Sequence, residues 1–384
     1  MRFLPIPSLI LFSGKDASLE LCDAIVHRGC KKVLLVTDEM LMQLKLGSKI
    51  IQRLEDQGIS VTVYSGVLPD PTTDQVREGV KLARENGCDA VIAFGGGSSI
   101  DAAKTIAACV TNSKNAKQLE GFFKVKQPPL PLYVVPTTAG TGSEATIVAV
   151  ISDSVTHKKS LIIDLKLVPK MGALDGNLML GLPPAVTAAT GMDALTHAIE
   201  AYISTNATDE TDQLALASAK LIFNNLEQAV SQGSDFHVRQ NMAMGSFYAG
   251  LAINKAGLGY VHAIAHNIGA AYGTPHGVAN AIILPHILDY SLENIEERLA
   301  NMARACGLAD GNTGDRDAAS VLIDKIRNML ASFGIDCYFD KLKLADIPQL
   351  AKESLKEAHF TPYAVPKYMD QQQCKNLIRD MMVS

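Results

Sequence analysis

The chain has 384 residues, enough for two domains with ample core. Hydrophobic residues make up 47% and charged residues 20%, the proportions of a globular protein and not of a disordered one. The net charge is −5 with no basic block, which excludes nucleic acid or an anionic membrane as the expected partner.

The chain opens on MRFLPIPSLILFSGKDAS, an apolar run of about eight residues broken by prolines. It is too short to span a membrane and no small-residue cleavage motif follows, so it reads as a first strand. Cys22, Cys30, Cys88, Cys109, Cys306, Cys337 and Cys374 form no C-x-x-C pair. They read as reduced thiols of a cytoplasmic protein, not as disulfides or a cysteine metal site.

Short apolar runs at 32–37, 61–64, 90–94 and 132–135 read as strands, with helical patterns between the first three at 40–57 and 73–86. That alternation predicts βαβ units on a parallel sheet. The stretch 114–131, rich in Lys, Gln and Pro, reads as an exposed connection. Past Pro183 and Pro184 the strand signal fades, and 185–203, 212–230 and 235–253 carry helical spacing. The boundary falls near 181. An α/β domain with a parallel, Rossmann-like sheet (1–181) is expected to precede an all-α domain (182–384).

Three strand ends carry the chemistry of the first half. The strand at 90–94 runs into Gly95-Gly96-Gly97-Ser98-Ser99-Ile100-Asp101 and then a helix from 102 to 109. Glycines there let a ligand approach the backbone, and the helix N-terminus favours phosphate. The motif is not G-x-G-x-x-G, because Asp101 stands where the third glycine belongs; a tight turn with Ser98 as helix cap is the plain alternative. The strand at 132–135 ends in Pro136-Thr-Thr-Ala-Gly-Thr-Gly-Ser-Glu144, with more hydroxyls and glycines than a turn needs. Asp38, after the strand at 32–37, suits either a helix cap or an acceptor for ribose hydroxyls that repels a 2′-phosphate. Together they indicate a nucleotide pocket.

In the second half, Asp193 and His197 stand four apart on an apolar helix, as do His262 and His266, while His276 lies between Pro275 and Gly277. A buried Asp–His pair or a satisfied core histidine is the plain reading of each alone. One carboxylate and three imidazoles together, from Asp193, His197, His262 and His276, suit Fe(II) or Zn(II) better than Mg or Ca.

GGGSSIDAAK (95–104), PTTAGTGSE (136–144), TAATGMDALTHAIEAY (187–202) and the segment around GLGYVHAIAHNIGAAYGTPHG make the chain resemble the iron-containing (group III) alcohol dehydrogenases over nearly its whole length. The resemblance implies a dehydroquinate synthase-like architecture and metal ligands Asp193, His197, His262 and His276, with His266 assisting catalysis without being a preferred ligand. It also implies an NAD(P) site in a cleft between the domains, contacted by Asp38, Asp70, Gly96, Gly97, Ser98, Thr137, Thr138, Thr141 and Lys159. The partners so implied are a small alcohol or aldehyde and further copies of the chain, as a dimer or larger homo-oligomer.

The sequence departs from the family pattern at several places. Position 70 is often Asn in relatives, Ile253 replaces a common Phe, and Val365-Pro366-Lys367 stands for Asn-Pro-Arg. Val148, Ala149 and Ile253 would present aliphatic surface to the substrate, favouring primary alcohols of about three to six carbons over ethanol and 1,2-propanediol. Two rival readings are a dehydroquinate synthase-type lyase and a non-enzymatic nucleotide- or metal-binding scaffold. The first would want several Lys and Arg around an acidic substrate, whereas 187–202 and 259–277 are nearly uncharged. The second is at odds with the retention of every ligand and both glycine loops.

Overall fold

Runs such as Val33-Leu-Leu-Val36 and Ala90-Val-Ile-Ala-Phe94 lack polar alternation, which suits strands covered on both faces. In the computed structural model, which describes residues 9–156, 158–360 and 363–383, all nine of these side chains are buried. The strands are β1 (Ile10–Ser13), β2 (Lys32–Val36), β3 (Ser60–Tyr64), β4 (Ala90–Gly95), β5 (Gly121–Phe122), β6 (Leu132–Pro136), β7 (Val148–Ser152), β8 (Lys159–Ile163) and β9 (Met171–Leu174). Of the opening apolar run, residues 1–8 lie outside the described residues; β1 is its continuation. The main sheet has the order β1-β9-β6-β4-β2-β3 and every pairing in it is parallel.

Helices α1 (Ala17–His27), α2 (Glu39–Gln43), α3 (Ser48–Asp56), α4 (Thr73–Glu85), α5 (Gly97–Asn112) and α6 (Ala116–Leu119) connect these strands. The period-2 rule sorts the strand residues between two apolar layers. Leu34, Val36, Val91, Ala93 and Val134 pack with Val76 of α4 and Ile106 of α5. Val33, Leu35, Ile92 and Val135 pack with Leu21 and Ile25 of α1 and Ile50 and Leu54 of α3.

The segment 114–131 is exposed or half-buried over most of its length, as expected, but it is not without structure. It forms α6 and β5, and Leu119 and Val125 are buried. Among the contacts that hold it, β5 adds to β8 in a small sheet of order β5-β8-β7, the Val125 amide donates to Asp164 Oδ2 at 3.1 Å, and the Lys126 and Gln127 amides donate to Asn112 Oδ1. The β7–β8 pair is antiparallel.

By compactness the chain divides into two units. One runs up to Thr138 and resumes over Gly142–Gly181; the other holds Ala139–Thr141 and the chain from Leu182 onward. The second unit is built from α7 (Pro184–Ile203), α8 (Asp209–Ser231), α9 (Phe236–Ala256), α10 (Tyr260–Tyr272), α11 (His276–Ala305), α12 (Asp315–Ser332), α13 (Ile347–Phe360) and α14 (Gln371–Asp380). Proline at the first position of α7 suits a helix start. From Gly191 to Ile203 every residue of α7 is buried, so each polar group on that stretch needs a partner inside the protein.

Candidate metal centre and nucleotide loops

Three helices of the second unit supply the histidine cluster: Asp193 and His197 on α7, His262 and His266 on α10, and His276 at the first position of α11. The backbones of α7 and α11 meet at Gly277, where a Cβ would lie 2.2 Å from the Ala189 carbonyl oxygen. That contact brings the start of α11 against α7 one turn before Asp193. Donor atoms of Asp193, His262 and His276 all lie within 4.8 Å of one another, the one such group among the described residues. Asp193 Oδ1 is 3.7 Å from His262 Nε2 and 3.5 Å from His276 Nε2. His197 is buried beside this group but not within that limit; its ring stacks on His262 with centroids 4.5 Å apart.

Burial works to raise the pKa of Asp193, but the fields of His197, His276 and His262 outweigh it and hold the carboxyl well below the usual range. Burial pushes the His197 ring down to about 4 against the pull of Asp193. Burial works to lower His262, but the charges of Glu200 and Asp193 outweigh it and push that ring up to about 9. The cluster therefore offers a buried carboxylate beside imidazole nitrogens. That donor set fits Fe(II) or Zn(II). One more side chain stands here: Asn280, fully buried and one turn along α11 from His276.

Glu200 was not singled out from the sequence, yet it orients the cluster. Its Oε2 is 2.6 Å from His262 Nδ1 and accepts the Gly259 amide at 3.0 Å, while Oε1 accepts the Val261 amide at 2.8 Å. One carboxylate thus caps the N-terminus of α10 and fixes the tautomer that turns His262 Nε2 toward Asp193. Gly259 permits it, since a Cβ there would stand 2.6 Å from Glu200 Oε1. The signal was present: Glu200 continues the helical face of Asp193 and His197 in an otherwise apolar run. Glu200→Gln is expected to weaken divalent-ion affinity about 10- to 100-fold. Competition against a chelating dye measures it, and unchanged affinity would mean that helix packing alone orients His262.

His266 is not a member of that ligand group. Its Nδ1 is 2.7 Å from Glu357 Oε1 on α13, and its ring lies nearly parallel to that of His276 with centroids 5.1 Å apart. Glu357 also accepts from Tyr363 Oη at 2.9 Å and from Asn267 Nδ2 at 3.2 Å. Burial raises the Glu357 pKa, but His266 and Tyr363 more than reverse this and keep the carboxyl ionised. No local pattern could have revealed Glu357, which is 91 positions from its partner.

In the first unit the chain passes from β2 out to β3 and then returns to the other side of β2 at β4. The C-terminal ends of β2 and β4 therefore flank a topological switch point, where open parallel sheets bind ligands. Gly95, with φ of +151°, leads into Gly96, which is the cap of α5; no side chain caps that helix, and Ser98 lies inside it. Free N–H groups are thus left at the α5 N-terminus. On the neighbouring strand, the Thr137 amide donates to the Gly95 carbonyl at 3.1 Å, and the Thr138 hydroxyl lies 3.1 Å from where a Gly96 Cβ would be. Asp38 caps α2, its Oδ1 accepting the Leu41 amide at 2.9 Å. Asp70, with φ of +55°, pairs with Lys159 at 2.9 Å. Thr141 belongs to the segment grouped with the helical unit. Of the substrate-facing residues expected above, Ala149 is fully buried in the apolar layer beside α5, and Ile253 is buried near the end of α9.

The second glycine loop is held from beneath by Lys104 of α5, which is fully buried. Its Nζ donates to Ser143 Oγ (3.2 Å), Thr146 O (2.9 Å), Thr146 Oγ1 (3.0 Å) and Val148 O (2.7 Å). Asp101, one turn earlier, accepts from Ser143 Oγ at 2.5 Å and from the Val150 amide at 3.0 Å. Burial pushes Lys104 down to about 8 and Glu144 up to about 7, and it raises Asp101 as well.

Comparison with known proteins bears on both halves. A family profile for iron-containing alcohol dehydrogenase matches residues 7–176, and one for the C-terminal part of the Fe-containing alcohol dehydrogenase family matches 187–382. The chain is 41% identical over 352 residues to the 1,3-propanediol dehydrogenase of Citrobacter freundii, covering 91% of each. With the NAD-dependent methanol dehydrogenase of Bacillus methanolicus it shares 37% over 357 residues, 92% of this chain and 93% of that one. A crystal structure of a 1,3-propanediol oxidoreductase superposes with a TM-score of 0.94 at 37% identity, covering 99% of this chain and 100% of the other.

Proposed function

The chain belongs to the iron-containing alcohol dehydrogenase family, and we propose that Asp193, His197, His262 and His276 hold its divalent ion. The enzyme interconverts alcohols and aldehydes by hydride transfer with NAD, and neither a lyase nor a binding scaffold is favoured. One observation carries the assignment of the site: a buried carboxylate and two imidazoles from three helices converge within 4.8 Å. Fe(II), or Zn(II) in its place, supplies a Lewis acid that polarises the substrate oxygen.

The protein's own groups do the rest. The α5 N-terminus at Gly96, Gly97 and Ser98, with the hydroxyls of Thr137, Thr138 and Thr141, suits the pyrophosphate of the cofactor. Capping α2 uses Asp38 Oδ1, which leaves Oδ2 to accept from a ribose hydroxyl and to oppose a 2′-phosphate, favouring NAD over NADP. Asp70 and Lys159 complete the cofactor set. His266 takes the alcohol proton, held for that task by Glu357. In this reading residues 1–181 bind the cofactor and 182–384 the ion and the substrate.

Seven free cysteines, six of them buried, fit a reducing cytoplasm, and a homodimer is the proposed assembly. Among the described residues no helix is long and apolar enough to cross a membrane.

The substrate proposed is a simple primary alcohol of about three to six carbons, or its aldehyde, a reading that rests on the half-buried Val148, since Ala149 is fully buried in the apolar layer and Ile253 is buried. The test follows reduced-cofactor absorbance with ferrous iron, NAD and a series running from ethanol through 1-butanol to 1,2- and 1,3-propanediol. The unsubstituted C3–C6 alcohols are expected to give the highest kcat/KM. A clear preference for a diol would show polar groups lining the pocket and overturn the substrate assignment; no turnover with any member would overturn the reaction.

A further inference from the structure

We propose that Asp101 is a positioning residue that ties β7, and with it the substrate wall at Val148, to the end of α5 that takes the cofactor. The inference rests on the cofactor and substrate readings given above. In the small sheet of order β5-β8-β7, strand β7 stands at the edge, paired with β8. The main-chain groups along its other edge need partners of another kind. Two side chains of α5 supply them. Lys104 Nζ donates to the carbonyls of Thr146 at 2.9 Å and Val148 at 2.7 Å, and Asp101 Oδ2 accepts the Val150 amide at 3.0 Å. The Ser152 amide, next along the same edge, donates to the Pro71 carbonyl at 2.8 Å.

The chemistry of the two side chains matches this task. Asp101 and Lys104 are three apart on a helix and so share a face. An ammonium can only donate, and Lys104 meets carbonyls; a carboxylate accepts, and Asp101 meets an amide. Ser143 supports the assignment independently. Its hydroxyl lies 3.2 Å from Lys104 Nζ and 2.5 Å from Asp101 Oδ1. The hydrogen of that hydroxyl cannot go to the ammonium, so it goes to the carboxylate. Each Asp101 oxygen is thereby engaged by a different donor, one on the second glycine loop and one on β7.

The consequence concerns specificity. Along β7, Ala149 and Ile151 are buried in the layer beside α5, while Val148 and Val150 alternate with them and stay half-buried. Lys104 and Asp101 hold the backbone of these two half-buried residues, and Val148 is the one read above as facing the substrate. Gly96, Gly97 and Ser98, read above as the pyrophosphate site, begin the same helix one turn before Asp101. One helix is thus the common reference for the cofactor anchor and for the wall that measures the alcohol's chain. Losing either Asp101 contact lets β7 and the glycine loop shift against that reference, so cofactor affinity and discrimination by chain length fall together.

The test uses the full-length enzyme and two readouts: the ratio of kcat/KM for 1-butanol to that for ethanol at saturating NAD, and the NAD Kd from equilibrium titration. A partly unfolded variant loses both kcat/KM values by one factor, so the ratio reports only on the folded molecules. Asp101→Asn offers one acceptor to two donors, and it is expected to lower the ratio about fivefold and to weaken NAD binding by a similar factor. Ser143→Ala removes the loop contact alone, moves both readouts in the same direction by less, and decides the matter if Asp101→Asn does not fold. Val148→Ala is the control on the substrate reading; it is expected to change the ratio and to leave the NAD Kd as it is. An unchanged ratio or an unchanged NAD Kd in Asp101→Asn would overturn the inference, because a residue that ties the two sites cannot move one alone. An unchanged ratio in Val148→Ala would place the substrate wall elsewhere, removing the substrate reading and this inference with it.

Discussion

Replacing His276 with alanine is expected to strip the divalent ion from the purified enzyme and lower kcat by roughly a thousandfold or more. His276 is the only member of the buried donor group contributed by α11, and without it two protein donors remain within the 4.8 Å gathering. Of the four proposed ligands three would remain, but His197 stands outside that gathering, so two close donors and one more distant imidazole would be left to hold the ion. NAD binding should survive, since the proposed cofactor residues, Asp38, Asp70, Gly96, Gly97, Ser98, Thr137, Thr138, Thr141 and Lys159, are separate from the proposed ligand set. Elemental analysis and equilibrium NAD titration on the same preparation separate these effects. His266→Ala is the contrast: the ion stays and turnover falls about a hundredfold, the usual range for loss of a general acid–base group. Full metal content in His276→Ala would remove it from the ligand set. Equal metal loss in the two variants would mean that His266 is itself a ligand.

Lys104→Met is expected to be the most damaging single change outside the metal cluster, costing on the order of 3 kcal/mol of stability. Methionine matches the lysine stem, but it removes the Lys104 donor from the carbonyls of Thr146 and Val148 and from the Ser143 hydroxyl, and it leaves Asp101 with Lys159 as its remaining cationic influence. Because those contacts shape the loop 136–146, NAD affinity should fall with stability. The pH dependence provides an independent check. Burial lowers Lys104 to about 8 in the fold from 10.5, so between these values the unfolded chain holds more protons at this group. Stability contributed by Lys104 therefore rises with pH across that window. The variant should lack that rise. Denaturant midpoints at pH 7.5 and 10, followed by circular dichroism because the chain has no tryptophan, decide it. An unchanged midpoint at pH 7.5 would show that water replaces the ammonium without loss.

What could be read from the sequence was whatever repeats with a local period. Unbroken apolar runs located β2, β4 and β6, and i, i+4 spacing placed Asp193 with His197 and His262 with His266. Partners recruited from distant elements were not legible. Glu357 meets His266 because α13 packs on α10, a fact that no window of sequence contains. The Lys, Gln and Pro content of 114–131 matches a segment that is exposed or half-buried over most of its length, and it conceals the three side chains that turn inward, Ala116, Leu119 and Val125. Asp38 was legible as two alternatives at once, and the structure realises the helix cap with one oxygen while leaving the other.

The close approach of α7 and α11 at Gly277 bears on which element the enzyme carries. Any side chain there would drive into the Ala189 carbonyl, so the separation of Asp193 from His276 is set by main chain against main chain. Such a spacing does not stretch to follow the radius of the ion it receives. It discriminates against a large, oxygen-seeking cation such as calcium, and it has little means of telling apart ions of similar size and borderline softness. Fe(II) and Zn(II) are both ions of that class, and the donor set fits either.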